Sequence, residues 1–403
     1  MSTPTVLALP RAAPRRVLAF GAWLKNSAGL LEGDRFRLSA LHGDLGTPEA
    51  CIALERSVQA LVAAADGPIE AVAHDLHPDF HSTRLALHWA ERLGVPAIGV
   101  QHHQAHLAVL QAEAGLDGPL LGLALDGVGL GTDGTAWGGE LLRLDAHGGF
   151  ERLAHLPPLA LPGGDVAARE PWRLVAAVLH ALGRSDEIGP RLAPGVGAAA
   201  AQGVRTMLAR GLNCPVSTGA GRWFDAAAGV LGLSVRQREE AEAAMALERC
   251  AAGWLERHPE GVAGVGPRVR EGDGARDDSA RGGGLSGDLG AAVWALFEAL
   301  LAVDGRDAEA CGRGAALFHA GLADALAEAT LTAAERDGLH DVAFGGGCFF
   351  NRLLSQRLST RLTAAGLRVH RPQAVSCGDA GLALGQAWAA ATTTIRSNIP
   401  TET

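Results

Sequence analysis

No CxxC pair occurs among the six cysteines, Cys51, Cys214, Cys250, Cys311, Cys348 and Cys377, which argues against a zinc ribbon and a dense disulfide framework. A reducing cytoplasm is the expected compartment. No apolar run is long enough to span a bilayer, and Arg11, Arg15 and Arg16 interrupt the N-terminal stretch where a secretory signal needs an uncharged core. Positive charge is in deficit, with 35 Lys and Arg against 44 Asp and Glu and a formal net charge of -9. This balance gives no general attraction to nucleic acid or to an anionic membrane, and suits a basic partner or a neutral small molecule. A convincing short repeat is lacking too. What the 403 residues hold is 48% hydrophobic and 20% charged content, enough to bury a large core as two lobes rather than one small domain.

Apolar runs that end in polar or glycine residues recur at 16–20, 69–74, 97–100, 120–125 and 341–344, with helical patterns between them. That alternation is an α/β signature. From Ala167 to Leu255 the chain is rich in Ala and Leu at helical spacing with few β-branched residues, so a helical subdomain without strands is expected. Residues 258–290 turn to Gly, Arg and Asp, which predicts a mobile surface loop. A helical tract follows over 291–331, then a strand, a glycine turn, a closing helix near 380–390 and a frayed Thr-rich tail.

Chemistry concentrates at a few points. In VQHHQAH, His102 and His106 stand four apart at the start of a predicted helix, so they share a face and can grip one divalent ion. His103 and His106 form a competing pair three apart, and a His-rich surface turn would need no ion. Asp126, at the end of the run 120–125, is placed to add a carboxylate, or to cap the Asp-Gly turn that follows. That stretch, Asp126, Gly127, Gly131, Asp133, Gly134 and Thr135 through Gly139, offers bare amides that can cradle phosphate, and reads equally as a β-hairpin turn. Asp379 in SCGDAG suits either a fourth ligand or a helix N-cap.

The run FGGGCFFNRLL sets Gly345, Gly346 and Gly347 between a strand and a helix, the context of a nucleotide-binding loop, with Asn351 able to donate and accept. Cys348 has no basic neighbour in sequence and reads as a buried thiol rather than a nucleophile. Lys25, Asn26 and Ser27, together with Asp75 and His77, lie beside apolar elements. Arg169 and Arg173 would share a helix face, although Pro171 between them favours a helix start. They suit an anion or a surface ion pair.

Taken in order, HDLHPDFHSTR, VQHHQAH, LALDGVGLGTDGTAWGGE, LPGGDVAAREPWR, GRWFDAAAGVLGL, FGGGCFFNRLL and GDAGLALGQA resemble the motifs of the C-terminal transferase domain of the HypF family over roughly 17–388. The resemblance implies an α/β, two-lobed fold of the actin-like and sugar-kinase-like ATPases, with two RNase H-like lobes. Residues 1–118, closed by helix 380–391, would form the first lobe. Residues 119–379 would form the second, with a largely helical insertion at 165–255, the loop at 258–290 and a disordered tail at 392–403. It also implies metal ligation by His102, His106, Asp126 and Asp379, and nucleotide contacts from the Asp126–Gly139 turn, Asp225, Gly345–Gly347 and Asn351. The cofactors implied are a divalent ion, Zn2+ or Fe2+, and ATP, with Mg2+, used by way of carbamoyl-adenylate.

The activity implied is ATP-dependent carbamoyl transfer from carbamoyl phosphate to the C-terminal cysteine of HypE, with release of AMP, on the way to the cyanide ligand of the hydrogenase iron. Catalytic roles fall to Arg169 and Arg173, as stabilisers of developing oxyanion charge, and to Lys25. This sequence departs from the pattern in two ways. Segments resembling the family's acylphosphatase, zinc-finger and adenylate-forming domains are not in it, so carbamoyl-adenylate is expected to come from elsewhere or by another route. REEAEAAMALE carries Ala241 and Glu242 where a Gly-Gln pair is expected. Two rivals remain: threonylcarbamoyl transfer to tRNA, which needs a basic face that the acidic balance does not supply, and an inactive module that binds HypE.

Overall fold

Two sheets organise the chain, and each is ordered around a central strand, with antiparallel partners on one side and a parallel pair on the other. The computed structural model describes residues 4–262 and 284–393. The first lobe contains β1 (Thr5–Ala8), β2 (Val17–Ala19), β3 (Gly29–Glu32), β4 (Arg35–Leu38), α1 (Pro48–Ala63), β5 (Ala71–Asp75), α2 (His81–Leu93), β6 (Ala97–Val100) and α3 (His102–Ala114). Its strand order is β1-β4-β3-β2-β5-β6. The central parallel strands β2 and β5 are buried on both faces, which is why they read as near-continuous apolar runs. Helix α1 starts where Thr47 accepts from Ala50 N–H and Pro48 fills the first turn, and it buries Ala50, Leu54, Val58 and Leu61 at helical spacing.

The second lobe opens with β7 (Leu120–Leu130), β8 (Ala136–Leu144), β9 (Phe150–His155) and β10 (Leu159–Ala160). A helical stretch follows: α4 (Asp165–Arg169), α5 (Pro171–Ala181), α6 (Ile188–Val196), α7 (Ala198–Arg210), the short β11 (Val216–Ser217), α8 (Ala220–Val230) and α9 (Glu242–Arg257). The lobe ends with α10 (Leu285–Leu301), α11 (Ala308–Asp337), β12 (Asp341–Gly345), α12 (Arg352–Ala364), β13 (Arg368–His370) and α13 (Leu382–Thr392). Its order is β10-β11-β8-β7-β12-β13, with β9 also on β8. The two lobes thus repeat one RNase H-like pattern, giving the two-lobed α/β fold of the actin-like and sugar-kinase-like class.

Helices α3 and α13 cross between the two sheets. Helix α3 packs on β7, β8 and β12 of the second lobe, and α13 packs on β2, β3 and β5 of the first. Both are buried nearly all round and share one apolar cluster that draws on both sheets. The crossing is close, because a Cβ on Gly385 would lie 1.8 Å from the Ala105 carbonyl oxygen. Among the described residues no helix is long and apolar enough to cross a membrane.

Several expectations need correction. The helical stretch does contain a strand: β11, only two residues long, pairs with β8 and β10, and tertiary pairing rather than local propensity creates it. Helix α10 begins at Leu285, inside the stretch read as a loop, since Leu289, Val293, Leu296 and Leu300 give it a buried face. Residues 263–283 of that predicted loop and 394–403 of the predicted tail lie outside the described residues. Arg169 and Arg173 do not share a helix face: α4 ends at Arg169 and α5 starts at Pro171, as the missing proline N–H dictates.

Candidate metal centre

Strand β6 runs into α3 through Gln101, whose side-chain oxygen accepts from Gln104 N–H at 2.9 Å and caps the helix. The cap fixes the first turns, and four-residue spacing then sets the His102 and His106 rings edge to face with centroids 4.9 Å apart. Both Nε2 atoms face Asp126 Oδ2, at 3.4 and 3.3 Å, and Asp379 Oδ1, at 3.6 and 3.4 Å. One ligand atom from each of the four residues lies within 4.8 Å of all the others. His103 falls outside the cluster, because its Nδ1 faces Gln101 Nε2 at 3.0 Å. The pair four apart is therefore the one that converges.

Asp126 is not at a strand tip, as the sequence suggested. It sits inside β7, where the β7–β8 register shifts between Leu125 and Gly129, and this bulge re-aims its side chain. Its Oδ1 accepts from Gly347 N–H at 3.1 Å. Asp379 opens a single helical turn, Asp379–Gly381, ahead of α13. That turn and the segment before it are moored by the first lobe: Ser27 Oγ donates to Ala380 O at 2.8 Å. The Glu113 carboxylate accepts the N–H groups of Gln373, Ala374 and Val375 at 2.7, 3.2 and 2.9 Å.

Behind the cluster, Asp75 at the end of β5 is fully buried, and its Oδ2 lies 2.7 Å from His102 Nδ1. Such a carboxylate holds the imidazole in the tautomer that presents Nε2 to an ion. His77 adds only its backbone N–H, to Asp75 Oδ1 at 2.9 Å. Burial lowers the His102 imidazolium, but Asp126, Asp379 and Asp75 overcome this and hold it well above the ordinary histidine value. His106 is raised by the same two ligand carboxylates against its own burial. Burial raises Asp126 and Asp379, yet the facing histidines pull Asp126 well below and Asp379 below the usual carboxylate range.

The residues fit a divalent cation. Bonds of about 2.1 Å arranged tetrahedrally put neighbouring ligand atoms about 3.4 Å apart, and the four His–Asp separations run from 3.3 to 3.6 Å. Two imidazoles, two carboxylates and a carboxylate behind one histidine form a donor set that suits several divalent ions.

The other predicted residues are placed differently. The stretch from Asp126 to Gly139 is the paired β7–β8 hairpin rather than an open loop. Asp133 Oδ1 is taken by Thr135 N–H, Thr135 Oγ and Trp137 Nε1, while Gly131 N–H bonds Thr135 O and Gly134 N–H bonds Gly131 O. Buried Glu140, which the sequence reading missed, accepts from the amides of Gly138 and Gly139 and from Arg152. Gly345 to Gly347 lie against the His–Asp cluster: a Cβ on Gly346, at φ +103°, would meet Leu125 O at 2.3 Å, so close packing alone requires glycine there. Asn351 is consumed locally, its Oδ1 capping Leu354 N–H and its Nδ2 meeting His319 Nε2 at 2.9 Å.

Asp225 is buried on α8; burial pushes its carboxyl up, opposed by Arg222 and Gln237. Arg173 is tied to Glu170 and to Pro162 O. Lys25 Nζ reaches across to Glu240 at 2.6 Å. Asn26 spans Phe20 O, Ala22 O and His42 as a buried brace. Burial, then Asp126, pushes the Cys348 thiol well above its ordinary value, which disfavours a nucleophilic thiolate.

Comparison with known proteins adds to this geometry. The profile "HypF Kae1-like domain" matches residues 12–113, and "Carbamoyltransferase, Kae1-like Domain, second subdomain" matches 122–386. "Carbamoyltransferase HypF homolog" of Cupriavidus necator is 56% identical over 93% of this chain and 91% of the relative. "Carbamoyltransferase HypF2" of the same organism is 46% identical over 96% of this chain but 48% of its own length. A crystal structure of T. kodakarensis HypF matches with TM-score 0.79 and 30% identity, over 96% of this chain and 48% of that one. Full-length HypF in a phosphate- and nucleotide-bound form matches with TM-score 0.77 and 27% identity, over 96% of this chain and 57% of that one. The chain therefore spans nearly the whole of one relative and about half of the others.

Proposed function

Because this chain belongs to the HypF carbamoyltransferase family, we propose that it transfers carbamoyl from carbamoyl-adenylate to the C-terminal cysteine of HypE, releasing AMP. The carbamoyl group is the precursor of the cyanide ligand of the hydrogenase iron, and originates in carbamoyl phosphate and ATP with Mg2+. The observation that carries the reading is the convergence of His102, His106, Asp126 and Asp379 on one point between the lobes. A divalent ion, Zn2+ or Fe2+, held by those four residues would supply Lewis-acid polarisation.

The chain's own residues prepare the reaction. Asp75 fixes the His102 ring, and the Gly347 amide steadies Asp126. His102 and His106 are 3% and 2% exposed, and at such buried positions fixed dipoles act more strongly than in bulk water. The acceptor's thiolate forms the new S–C bond, the bond from the carbamoyl carbon to the phosphate oxygen breaks, and its electron pair leaves on AMP. A full-length HypF relative is known in a phosphate- and nucleotide-bound form, which supports nucleotide binding as part of this reading.

Transfer of radiolabelled carbamoyl to purified HypE from carbamoyl phosphate and ATP, with His102→Ala and Asp379→Ala in parallel, tests this reading. Label that disappears in both variants supports it, and label that persists in either removes the cluster from the reaction. Label that appears only when an adenylate-forming domain is added assigns this chain the second half-reaction alone.

A further inference from the structure

Arg222 is a cation that no reading of the motifs singled out. It lies in the first turn of α8, and that turn sits directly on the residue after Asp126. A Cβ on Gly219 would lie 2.3 Å from Gly127 O, and one on Gly221 would lie 3.0 Å from Gly127 Cα. Arg222 Nη2 itself is 3.8 Å from where a Gly127 Cβ would stand. The side chain is 16% exposed, yet its buried Nε has no hydrogen-bond partner. Asp225 is its ion-pair partner, with Oδ2 3.0 Å from Nη2, so the pair occupies one edge of the guanidinium and leaves the Nε N–H without an acceptor.

An unsatisfied buried N–H is expensive, and a guanidinium at the positive end of an 11-residue helix is matched by an anion. We propose that Arg222 is the phosphate-binding residue of this site, its guanidinium taking the phosphate of the bound adenylate beside Asp126. The planar fork suits two phosphate oxygens, and Asp225 holds it in place from behind. This assignment rests on the nucleotide reading above.

Calorimetric titration of the full chain with AMP and with adenosine, both in the presence of Zn2+, separates the two. Wild-type protein is expected to bind AMP more tightly than adenosine. Arg222→Gln is expected to lose at least about tenfold in AMP affinity with adenosine affinity unchanged, and Arg222→Lys to recover part of the loss. A glutamine variant that keeps the AMP-over-adenosine ratio overturns the assignment. Parallel loss of AMP and adenosine binding in both variants also overturns it, by making Arg222 a scaffold for α8. If the glutamine variant does not unfold cooperatively, the lysine variant decides by the same ratio. Wild-type protein that binds neither compound refutes the nucleotide reading itself.

Discussion

Asp75 contacts no proposed substrate, yet it is buried at the end of β5 and its Oδ2 lies 2.7 Å from His102 Nδ1. Asp75→Asn keeps the Oδ1 that receives His77 N–H and removes the charge behind the histidine. Divalent-ion affinity should fall about 10- to 100-fold, measured by competition with a chromogenic chelator, and an unchanged affinity would mean that His102 needs no support. The same cluster sets a pH dependence for the metal-free protein. His102 and His106 are held above the ordinary value of 6.5, so their contribution to stability is complete below about pH 6.5 and is lost as pH rises through the raised values. Asp126 and Asp379 are held below 3.8, and their contribution is lost as pH falls through the depressed values. The contribution of these four groups is therefore largest between about pH 4 and 6.5, opposed there by His42, His103 and His319, whose burial lowers their pKa values and favours the folded state as pH rises. Cation binding needs neutral imidazoles, so the Tm difference between metal-loaded and metal-free protein should widen from pH 6 to 8. A difference that narrows over that range would contradict this ligand set.

At the scale of elements, the α3–α13 crossing ties the site to the fold. Gly385 on α13 faces the Ala105 carbonyl, and Ala105 precedes His106. Gly385→Ala should destabilise the protein by about 3 kcal/mol, near the upper end of overpacking costs, and weaken metal binding as His106 moves. Urea unfolding reads the first effect, and a loss below about 0.5 kcal/mol would show that the helices separate without cost. Elements with strong local signals were legible: the apolar runs that became β5, β6 and β12, and the histidine spacing at the start of α3. What sequence could not give depended on distant partners. Strand β11 exists because β8 and β10 lie beside it. The stretch from Gly127 to Gly139 read equally as a phosphate-cradling turn and a β-hairpin, because neither the register shift at Asp126 nor the Glu140 anchor leaves a local pattern. Arg222 and Glu113 acquire their roles from Gly127 and from residues 373–375, far away in the chain.

Across the whole molecule, the lobes meet along the α3–α13 crossing and at the His–Asp cluster, and an ion pair, Lys25 Nζ to Glu240 at 2.6 Å, also joins the first lobe to the segment leading into α9. Lys25 is the only lysine in the sequence, and it takes a left-handed backbone conformation, φ 43°. Burial lowers its ammonium, but Glu240, Asp379 and Asp126 raise it above the ordinary lysine value, so it stays charged at neutral pH. Both partners are about half exposed, at 48% and 59%, and such a pair adds little to stability. Its use is as a reporter of the cleft, because an amine-reactive ester has one lysine to modify. Reagent should reach Lys25 slowly in metal-free protein, and several-fold more slowly once Zn2+ and AMP fill the space between the lobes. Peptide mass spectrometry reads the modified fraction against time, with urea-unfolded protein as the reference for full reactivity. Protection by AMP with Zn2+ that Zn2+ alone does not give would place the nucleotide beside Lys25. Equal rates with and without AMP would mean that the nucleotide binds away from this edge of the cleft, and that Lys25 takes no part in holding it.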